Sequence, residues 1–560
     1  MTAAHGRGGR PAAHARVVLS VNFNHDGAAV LLVDGRMAAF VCTERFSRKK
    51  KHPGLREEDL DELLGQAGMV LDDIDHIMLC NLHNMDSPDI PYLHGSSLKE
   101  TWFEFWVNQR NDTVLIRGQE IPCTVNPDHH LLHVAAAYYT SPFDSAASLA
   151  IDPTGCRAFL GKAHRLYPLQ RGYDKWFNAN IGYTYAAGEM FGSSIVGAGK
   201  LMGLAPFGKP EQDQDFDWKA ISSFAEVMEL ASRDPIYVQS NGRSLNATLA
   251  YYVQLGLELQ LSAVLADLAL VSSRNGGGLN LCLSGGTALN AIANQLCFER
   301  SEFKRLHLHP ACGDDGTAIG AALWYWHHVL GHSRRPYDNA ELMYSVRTYT
   351  DRDVTAALDD AMAAYPGRLA VDRTGDYVRA TARVLAGGAV VGWFDGAGEI
   401  GPRALGHRSI LADPRDPHMK DKINSRVKFR EHFRPLAPAV LGNRSAEWFG
   451  LTDSPFMLRA CPVLRDDVPA ITHVDGTSRI QTVAAADNPA FHRLIESFDS
   501  LTGTPLVLNT SLNMKGQPID ETPQHAINTL LTTRLDHLVF PGVIVSKAGS
   551  EHAPAEEDAR

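Results

Sequence analysis

Apolar runs near the start of the chain alternate with short turn sequences, in a pattern typical of β-strands. Residues 17–33 contain two such runs, separated by the polar turn Asn24–Gly27. A hairpin turn, Asp34–Gly35, follows the second run. Residues 147–160 repeat the arrangement around the turn Pro153–Gly155. Two strand–acidic turn–strand units predict an internally duplicated α/β fold.

Two further strand-like runs each lead into a glycine turn and a helix start. Leu279–Leu283 runs into Ser284-Gly-Gly-Thr-Ala-Leu-Asn290, and Arg305–His309 leads to Gly313-Asp-Asp-Gly-Thr-Ala-Ile-Gly320. A strand, glycine turn and helix start in succession suit an anion bound at the helix N-terminus. Ser284–Gly286 can equally be an ordinary tight turn.

The rest of the chain divides into two units. The apolar stripe of residues 251–272 predicts a core helix, and turn signals at 332–350 indicate a domain boundary. We therefore predict one domain at 16–345 and a second α/β domain at 346–548. The polar or small residues of 1–15 and 549–560 predict disordered tails.

Composition excludes several classes of protein. The chain has 560 residues, 44% of them apolar, and a net charge of −11, which argues against a nucleic-acid groove. Eight cysteines without a C-x-x-C pair indicate reduced thiols in a cytoplasmic enzyme. Neither a signal-peptide pattern nor a run of eighteen apolar residues is found, so no membrane partner is expected.

A histidine pair is a candidate metal site. Asp128 is a suitable N-cap for a helix on which His129 and His133 share a face. Asp152, at a strand end, and Asp314, in a glycine loop, could complete a His₂Asp₂ site suited to Fe(II), Mn(II) or Zn(II). Two alternatives stay open, since helical histidine pairs are commonly structural and an Asp before Gly is commonly a turn residue.

His25 and Asp26 lie in the first turn. The near-neutral pKa of a histidine suits proton transfer, so the two residues are candidate catalytic groups. The alternative is a turn held by the Asp side chain.

A glycine-rich segment, Gly398–Leu411, follows the strand-like run 389–394 and contains Arg403 and Arg408. Backbone N–H groups of such a loop, beside guanidinium groups, match a phosphate or carboxylate. No Walker motif occurs in the sequence. Further candidate ligands sit near glycines and prolines rather than on helix faces: Lys428, Arg434, Arg479, Asn509 and Ser511. Each basic residue alone could be a solvated surface charge, but together they predict a small phosphorylated substrate.

Nine motifs in order, from about residue 17 to 546, resemble the O-carbamoyltransferase family that includes nodulation-factor and antibiotic-tailoring enzymes. They are His25-Asp-Gly, Glu44-Arg-Phe-Ser-Arg-Lys-Lys, Asp128-His-His-Leu-Leu-His, Met202-Gly-Leu-Ala-Pro, Ser284-Gly-Gly-Thr-Ala-Leu-Asn, Gly313-Asp-Asp-Gly, Gly401-Pro-Arg-Ala-Leu-Gly-His-Arg-Ser-Ile, Arg430-Glu-His-Phe-Arg-Pro and Asn509-Thr-Ser-Leu-Asn.

The resemblance implies an N-terminal duplicated actin-like ATPase domain followed by a C-terminal YrdC-like α/β domain. It implies that carbamoyl phosphate is converted with ATP to carbamoyl adenylate in the second domain. A hydroxyl of a small-molecule acceptor, expected to be a natural product such as an antibiotic, then takes the carbamoyl group at the metal site of the first domain.

The same resemblance assigns residues to roles. His129, His133, Asp152 and Asp314 are the implied ligands of a divalent metal, most often Fe²⁺ with Mn²⁺, Zn²⁺ or Mg²⁺ as alternatives, and Asp315 is an alternative to Asp314. His25 is the implied base, beside Asp26. The implied ATP residues are Ser284, Gly285, Gly286, Asn290 and Gly313. The implied carbamoyl-phosphate residues are Arg403, Lys428, Arg434, Arg479, Asn509 and Ser511.

Several alternatives stay open. An actin-like or sugar-kinase-like ATPase without carbamoyl transfer would leave the second domain unexplained. A hydrogenase-maturation carbamoyltransferase would carry an acylphosphatase unit and zinc fingers, which the sequence lacks. The aromatic segment Asn84–Arg117 could line an acceptor pocket, although a packed helix or a dimer contact is favoured. A homodimer is one of the oligomeric states left open.

Overall fold

The computed structural model describes residues 17–81, 113–126, 128–173, 178–211 and 224–549. The predicted tails, apart from Gly549, lie outside the described residues. The same is true of the aromatic part of the segment Asn84–Arg117.

The first sheet has the strand order β3-β2-β1-β4-β6-β5. Strand β2 is antiparallel to β1 and β3, whereas β4 is parallel to β1 and to β6. The strands are β1 (Val17–Asn22), β2 (Ala28–Val33), β3 (Arg36–Cys42), β4 (His76–Cys80), β5 (Thr113–Ile116) and β6 (Gln119–Asn126).

The second sheet repeats this topology. Its order, β9-β8-β7-β12-β13, places an antiparallel hairpin beside two parallel strands, as in the first sheet. The strands of this sheet are β7 (Ser145–Asp152), β8 (Gly155–Lys162), β9 (Arg165–Leu169), β12 (Asn280–Ser284) and β13 (Arg305–Leu308). A separate two-stranded hairpin consists of β10 (Tyr237–Ser240) and β11 (Arg243–Asn246). The duplication predicted from the two strand–turn–strand units is confirmed.

Helices fill the spaces between and around these sheets. In this part of the chain they are α1 (Thr43–Ser47), α2 (Glu57–Ala67), α3 (His129–Thr140), α4 (Ala179–Phe191), α5 (Ser194–Leu204), α6 (Phe224–Arg233), α7 (Ala247–Arg274), α8 (Ala291–Glu299), α9 (Asp315–Trp324) and α10 (Asn339–Met343).

Two of these helices cross between the sheets. α3 follows the first sheet along the chain but packs on β7 and β12 of the second, whereas α9 follows β13 and packs on β1, β2 and β4. The two helices also pack on each other. A Cβ at Gly320 would lie 1.9 Å from the Leu132 carbonyl oxygen, so glycine is required for this close approach. The N-terminal ends of both helices thus meet between the sheets.

The long helix α7 belongs to the core of the first domain. The sequence predicts it at 251–272, and it extends one turn further towards its N-terminus because Asn246 caps it, accepting the Leu249 N–H at 2.9 Å. Among the described helices it is the one whose length and apolar composition would suit a membrane span. Its apolar side chains pack against α4, α8 and β7.

The remaining part of the chain builds one mixed sheet with the order β14-β22-β21-β15-β16-β20-β17-β19-β18. Its strands are β14 (Leu369–Arg373), β15 (Val391–Phe394), β16 (Arg408–Ala412), β17 (Ala437–Leu441), β18 (Arg459–Pro462), β19 (Thr477–Val483), β20 (Leu506–Ser511), β21 (His537–Phe540) and β22 (Val543–Lys547). Its helices are α11 (Asp351–Ala364), α12 (Tyr377–Ala386), α13 (Met419–Arg426), α14 (Ser445–Phe449), α15 (Pro489–Thr502) and α16 (Pro523–Thr532).

This sheet has a hydrophobic core on each face. The α/β class expected for both halves of the chain is therefore confirmed. The boundary at 345/346 stays a prediction: α10 begins within the segment interpreted as turns, and Leu342 and Met343 pack into the core of the first domain.

Candidate functional site

The crossing of α3 and α9 brings the predicted metal ligands together. Asp128 caps α3, accepting the Leu131 N–H at 3.1 Å, so the first two turns of α3 present His129 and His133 to the space between the sheets. Asp152 ends β7, and Asp314 directly precedes α9. Four residues from three separate segments of the chain therefore meet at one point.

The ligand atoms converge. The Nε2 atoms of His129 and His133 are 3.1 Å apart. Asp152 Oδ2 lies 2.9 Å from His129 Nε2, and Asp314 Oδ1 lies 3.4 Å from His133 Nε2. One ligand atom from each of His129, His133 and Asp314 falls within 4.8 Å of the others. A spacing of this size suits a single ion with mixed nitrogen and oxygen ligands.

Neighbouring groups orient these ligands. Asn81 Oδ1 lies 2.9 Å from His129 Nδ1, and because a carboxamide oxygen only accepts, Nδ1 carries a proton and Nε2 is the ring nitrogen left to face a metal ion. Asp152 Oδ1 accepts the backbone N–H groups of Thr154 and Gly155. Asp152 Oδ2 is buried without a hydrogen-bond partner among the described residues. The donor set therefore fits a metal ion.

The electrostatics favour a cation as well. Burial opposes ionisation of Asp152, but the nearby imidazoles of His129 and His130 outweigh it and lower its pKa. Burial would likewise raise the pKa of Asp314, but the hydrogen bond with His133 and the charges of nearby histidines lower it. Burial and the neighbouring His129 charge lower the pKa of His133. The site thus keeps two carboxylates charged beside a neutral histidine.

The Asp314–Asp315 doublet separates in space. The Asp314 carboxylate faces His133 and also accepts from Asn24 Nδ2 at 3.1 Å. Burial, followed by the charge of Asp26, raises the pKa of Asp315 to about 7. The geometry therefore favours Asp314 as the ligand, and ligation itself stays a prediction.

His25 lies at the edge of this cluster. Its Nε2 is 3.4 Å from Asp314 Oδ2, and its Nδ1 is 3.0 Å from Asp26 Oδ2. Lys51 Nζ donates to the same Asp26 oxygen at 2.6 Å. A carboxylate therefore orients the imidazole, and an ammonium holds that carboxylate in place. Lys51 was not anticipated from the sequence.

One of the predicted ATP residues, Gly285, lies beside the histidine–carboxylate cluster. Gly285 has φ = 86°, and a Cβ there would lie 2.2 Å from the Ile151 carbonyl oxygen, next to Asp152. Nothing lies within 4 Å of a Cβ at Gly286, so this side of the turn faces open space. Asn290 is engaged otherwise: it caps α8 and donates to Gln254 Oε1 at 2.8 Å.

Arginines of the second domain form a cationic cluster. Burial lowers the pKa of Arg479, and the charges of Arg403, Arg430 and Arg434 lower it further. Burial lowers the pKa of Arg430 to about 9, with Arg434 adding to the effect. The Nε atoms of Arg403 and Arg479 are buried and have no hydrogen-bond partner within the described ranges. Crowded cations with unused donors mark a site for an anion.

Lys428 and Ser511 pair with each other. Lys428 Nζ donates to the Ser511 carbonyl oxygen at 2.7 Å and to its Oγ at 3.2 Å, and it also contacts Asn513. Burial, with Arg430 and Lys50 adding, lowers the pKa of Lys428. The protein itself already occupies these donors, so the role of both residues as substrate ligands stays a prediction.

Other members of the cluster escaped the sequence interpretation. Arg430 belongs to the motif Arg430–Pro435 but was not named as a candidate phosphate ligand, although it lies only four residues before Arg434. Glu431 lies 3.0 Å from Lys200 Nζ of α5 and 3.7 Å from Arg434. No local pattern indicates that Lys200, from the first domain, meets this motif.

The segment that carries Arg403 contacts chain segments next to the histidine–carboxylate cluster. Arg403 Nη2 donates to the Leu289 carbonyl oxygen at 3.2 Å, within the glycine-turn segment. Gly401 has φ = 90°, and a Cβ there would lie 2.4 Å from the Pro310 carbonyl oxygen, just before Gly313. Arg45 Nη2 donates to the Gly401 carbonyl oxygen at 2.7 Å. The glycine-rich segment Gly398–Leu411 is thus packed against the turn before α8, the turn before α9 and helix α1.

Comparison with known proteins assigns the class. Residues 16–323 match the model of the carbamoyltransferase N-terminus, and residues 382–547 match that of the carbamoyltransferase C-terminus. The chain therefore belongs to the carbamoyltransferase family and is an enzyme of that class.

Three relatives are similar to this protein over nearly all of its chain. Uncharacterized protein sll1178 of Synechocystis sp. is 32% identical, covering 94% of this chain and 95% of its own length. Nodulation protein NolNO of Sinorhizobium fredii is 33% identical, covering 94% of this chain and 79% of its own. Nodulation protein U of Rhizobium tropici is 28% identical, covering 95% of this chain and 96% of its own.

One solved structure is the activator of the 2-hydroxyisocaproyl-CoA dehydratase from Clostridium difficile with bound ADPNP. It matches with a TM-score of 0.32 and 13% identity, over 57% of this chain and 96% of that one. A likeness of this size carries no argument about function.

Proposed function

We propose that the protein is an ATP-dependent O-carbamoyltransferase that uses carbamoyl phosphate. The observation that carries the proposal is that one turn segment, Ser284–Asn290, contacts both clusters: Leu289 accepts a hydrogen bond from Arg403, and Gly285 packs on Ile151, the residue before Asp152. Carbamoyl phosphate, ATP, water and an alcohol would give a carbamate ester, AMP, pyrophosphate and phosphate. Carbamoyl adenylate would be the intermediate that links the two sites.

The arginine cluster suits the first step. Arg403, Arg434 and Arg479 would bind the phosphate oxygens, and the buried location would limit attack by bulk water on carbamoyl phosphate. The Ser284–Gly286 turn, whose Gly286 faces open space, would bind a phosphate of ATP through backbone N–H groups. These residues hold and align two anions whose mutual repulsion the arginines offset.

The histidine cluster suits the second step. His129, His133, Asp152 and Asp314 would hold a divalent metal, Fe²⁺ in our proposal, which would supply Lewis-acid stabilisation of developing negative charge. His25 would take the proton of the acceptor hydroxyl at Nε2, while Asp26 and Lys51 fix the orientation of the ring. The acceptor would be a natural-product hydroxyl, and the reaction would take place in the cytoplasm.

Product analysis tests the proposal. We expect pyrophosphate release from ATP to require carbamoyl phosphate, and Arg434→Ala to abolish it. His133→Ala should still release pyrophosphate but fail to transfer the carbamoyl group to an acceptor. Arg444→Ala, which removes an exposed arginine paired with Glu447, is the matched control and should behave as wild type. Formation of ADP regardless of carbamoyl phosphate would instead indicate a kinase-like ATPase.

A further inference from the structure

Two carboxamides in the arginine cluster have orientations that the backbone fixes. Gln481 Nε2 donates to the Leu405 carbonyl oxygen at 2.8 Å. Because a carbonyl oxygen can only accept, the amino group of Gln481 must face Leu405, and Gln481 Oε1 must face the other way. Gln481 is almost fully buried, so water does not compete for this contact.

The second carboxamide follows from the first. Asn509 Nδ2 donates to Gln481 Oε1 at 2.9 Å and to the Ala404 carbonyl oxygen at 3.3 Å. Both of these oxygens require a donor, so the amide of Asn509 cannot be turned over. Asn509 Oδ1 is buried and has no hydrogen-bond partner in the part of the chain that the structure describes.

The residue that carries this unpartnered acceptor lies on the part of the sheet that also carries donors of the anion site. Asn509 pairs with Ala437, and Gln481 with Ala439, on neighbouring strands whose side chains alternate between faces. Arg479 and Gln481 therefore share one face of β19. The carbonyl oxygen that fixes Asn509 belongs to Ala404, which follows Arg403.

The unused arginine donors and the unpartnered Asn509 Oδ1 together match one kind of acyl phosphate. Phosphate oxygens can only accept hydrogen bonds, which suits the unused Nε donors of Arg403 and Arg479. A buried acceptor requires a donor, which the amino group of a carbamoyl unit supplies and the methyl group of an acetyl unit does not. A site with a committed hydrogen-bonding group rejects an analogue that leaves this group unpaired.

We propose that Gln481 is a positioning residue that directs Asn509 Oδ1 towards the amino group of the substrate, so that the pocket selects carbamoyl phosphate over other acyl phosphates. The proposal deepens the function proposed above and rests on it. Gln481 does not touch the substrate in this scheme; it acts by preventing the Asn509 amide from turning over.

Binding of three anions tests the proposal. Calorimetric titrations would compare carbamoyl phosphate, acetyl phosphate and inorganic phosphate on the wild type and on Gln481→Leu, Asn509→Leu and Gln481→Glu. We expect the wild type to bind carbamoyl phosphate at least about tenfold more tightly than acetyl phosphate. Gln481→Leu and Asn509→Leu should bring that ratio close to one, while affinity for inorganic phosphate stays within about twofold of wild type.

Gln481→Glu keeps an oxygen facing Asn509 Nδ2, but it sets a second oxygen against the Leu405 carbonyl oxygen and adds a negative charge, so it should retain the preference for carbamoyl phosphate while weakening the binding of all three anions. An unchanged ratio in a folded Gln481→Leu or Asn509→Leu protein would overturn the inference, as would a wild type without preference. If Gln481→Leu does not fold, Asn509→Leu decides. A wild type that neither binds carbamoyl phosphate nor releases pyrophosphate in its presence would refute the proposed function itself, which is a distinguishable outcome.

Discussion

His129 and His133 direct their Nε2 atoms at each other across 3.1 Å, with Asp152 and Asp314 beside them. Two imidazole nitrogens this close require a proton or a cation between them, since two lone pairs or two N–H groups would repel. The two carboxylates favour the cation.

The first prediction concerns metal content. His133→Ala should remove bound metal, as measured by elemental analysis of the purified protein, because it deletes a buried ligand without disturbing the Asp128 cap. His130→Ala is the control: His130 Nε2 lies 3.3 Å from Asp152 Oδ1, the oxygen that faces the turn, so this variant should keep its metal. Equal metal content in both variants would contradict the assignment.

The second prediction concerns the glycine turn. Gly285→Ala should destabilise the protein by about 3 kcal/mol or more, because φ = 86° disfavours a side chain and the new Cβ would meet the Ile151 carbonyl oxygen. The neighbouring Gly286→Ala should leave the thermal midpoint almost unchanged, since its Cβ would meet nothing within 4 Å. Similar midpoints for the two variants would show that the turn is not held against β7.

Local patterns predicted the elements but not their crossing. The i, i+4 spacing of His129 and His133 and the N-cap Asp128 were readable, because a helix repeats over a few residues. That Asp152 and Asp314 join them depends on α3 and α9 each packing on the opposite sheet. No local sequence pattern specifies such long-range packing: a strand end and a glycine loop made the two residues candidates, and the family resemblance implied their role.

In the second domain, too, some site features were predictable from the sequence and others were not. A cationic site was readable from arginines placed beside glycines, and the structure brings Arg403, Arg434 and Arg479 together. The pairing of Lys428 with Ser511 was not readable, because it depends on how a loop after α13 folds over the end of β20. A sequence does not distinguish polar side chains that hydrogen-bond each other from polar side chains that are left to bind a ligand.

The third prediction separates stability from binding at Arg479. Arg479→Gln should raise the thermal midpoint of the ligand-free protein, because burial and three neighbouring arginines make this charge unfavourable. The same variant should raise the KM for carbamoyl phosphate about 10- to 100-fold, through loss of charge-assisted hydrogen bonds.

The control for Arg479 is Arg459→Gln on the neighbouring strand. Arg459 is already paired, donating to Gln295 Oε1 at 2.6 Å and to the Asp453 carbonyl oxygen at 2.8 Å. Its replacement should lower the thermal midpoint and leave the KM near that of wild type. A lower midpoint for Arg479→Gln would show that this arginine stabilises the fold.

The fourth prediction concerns the contact between α1 and the second domain. Arg48 Nη2 donates to Asp520 Oδ1 at 2.6 Å, and Asp520 is fully buried. Arg48→Met should cost about 3 kcal/mol of unfolding free energy, because it leaves a buried carboxylate without its cation. Combining it with Asp520→Asn should cost less than the sum of the single changes, as measured by denaturant unfolding of all four proteins. Additive costs would mean that the pair is not coupled.

The last prediction is a pH dependence at Glu258, whose Oε1 accepts from Gln254 Nε2 at 2.8 Å inside α7. Burial raises the pKa of Glu258 above its ordinary value of 4.5. The folded state therefore binds this proton more tightly than the unfolded state does. The resulting stabilisation is full below about pH 4.5 and is lost as the pH rises through the higher folded-state pKa.

Glu258→Gln, which keeps the hydrogen bond without the charge, should raise the thermal midpoint at pH 8 and change it little at pH 4. Glu229→Gln, exposed on α6, should have no effect at either pH, and a pH-independent effect of Glu258→Gln would contradict the prediction.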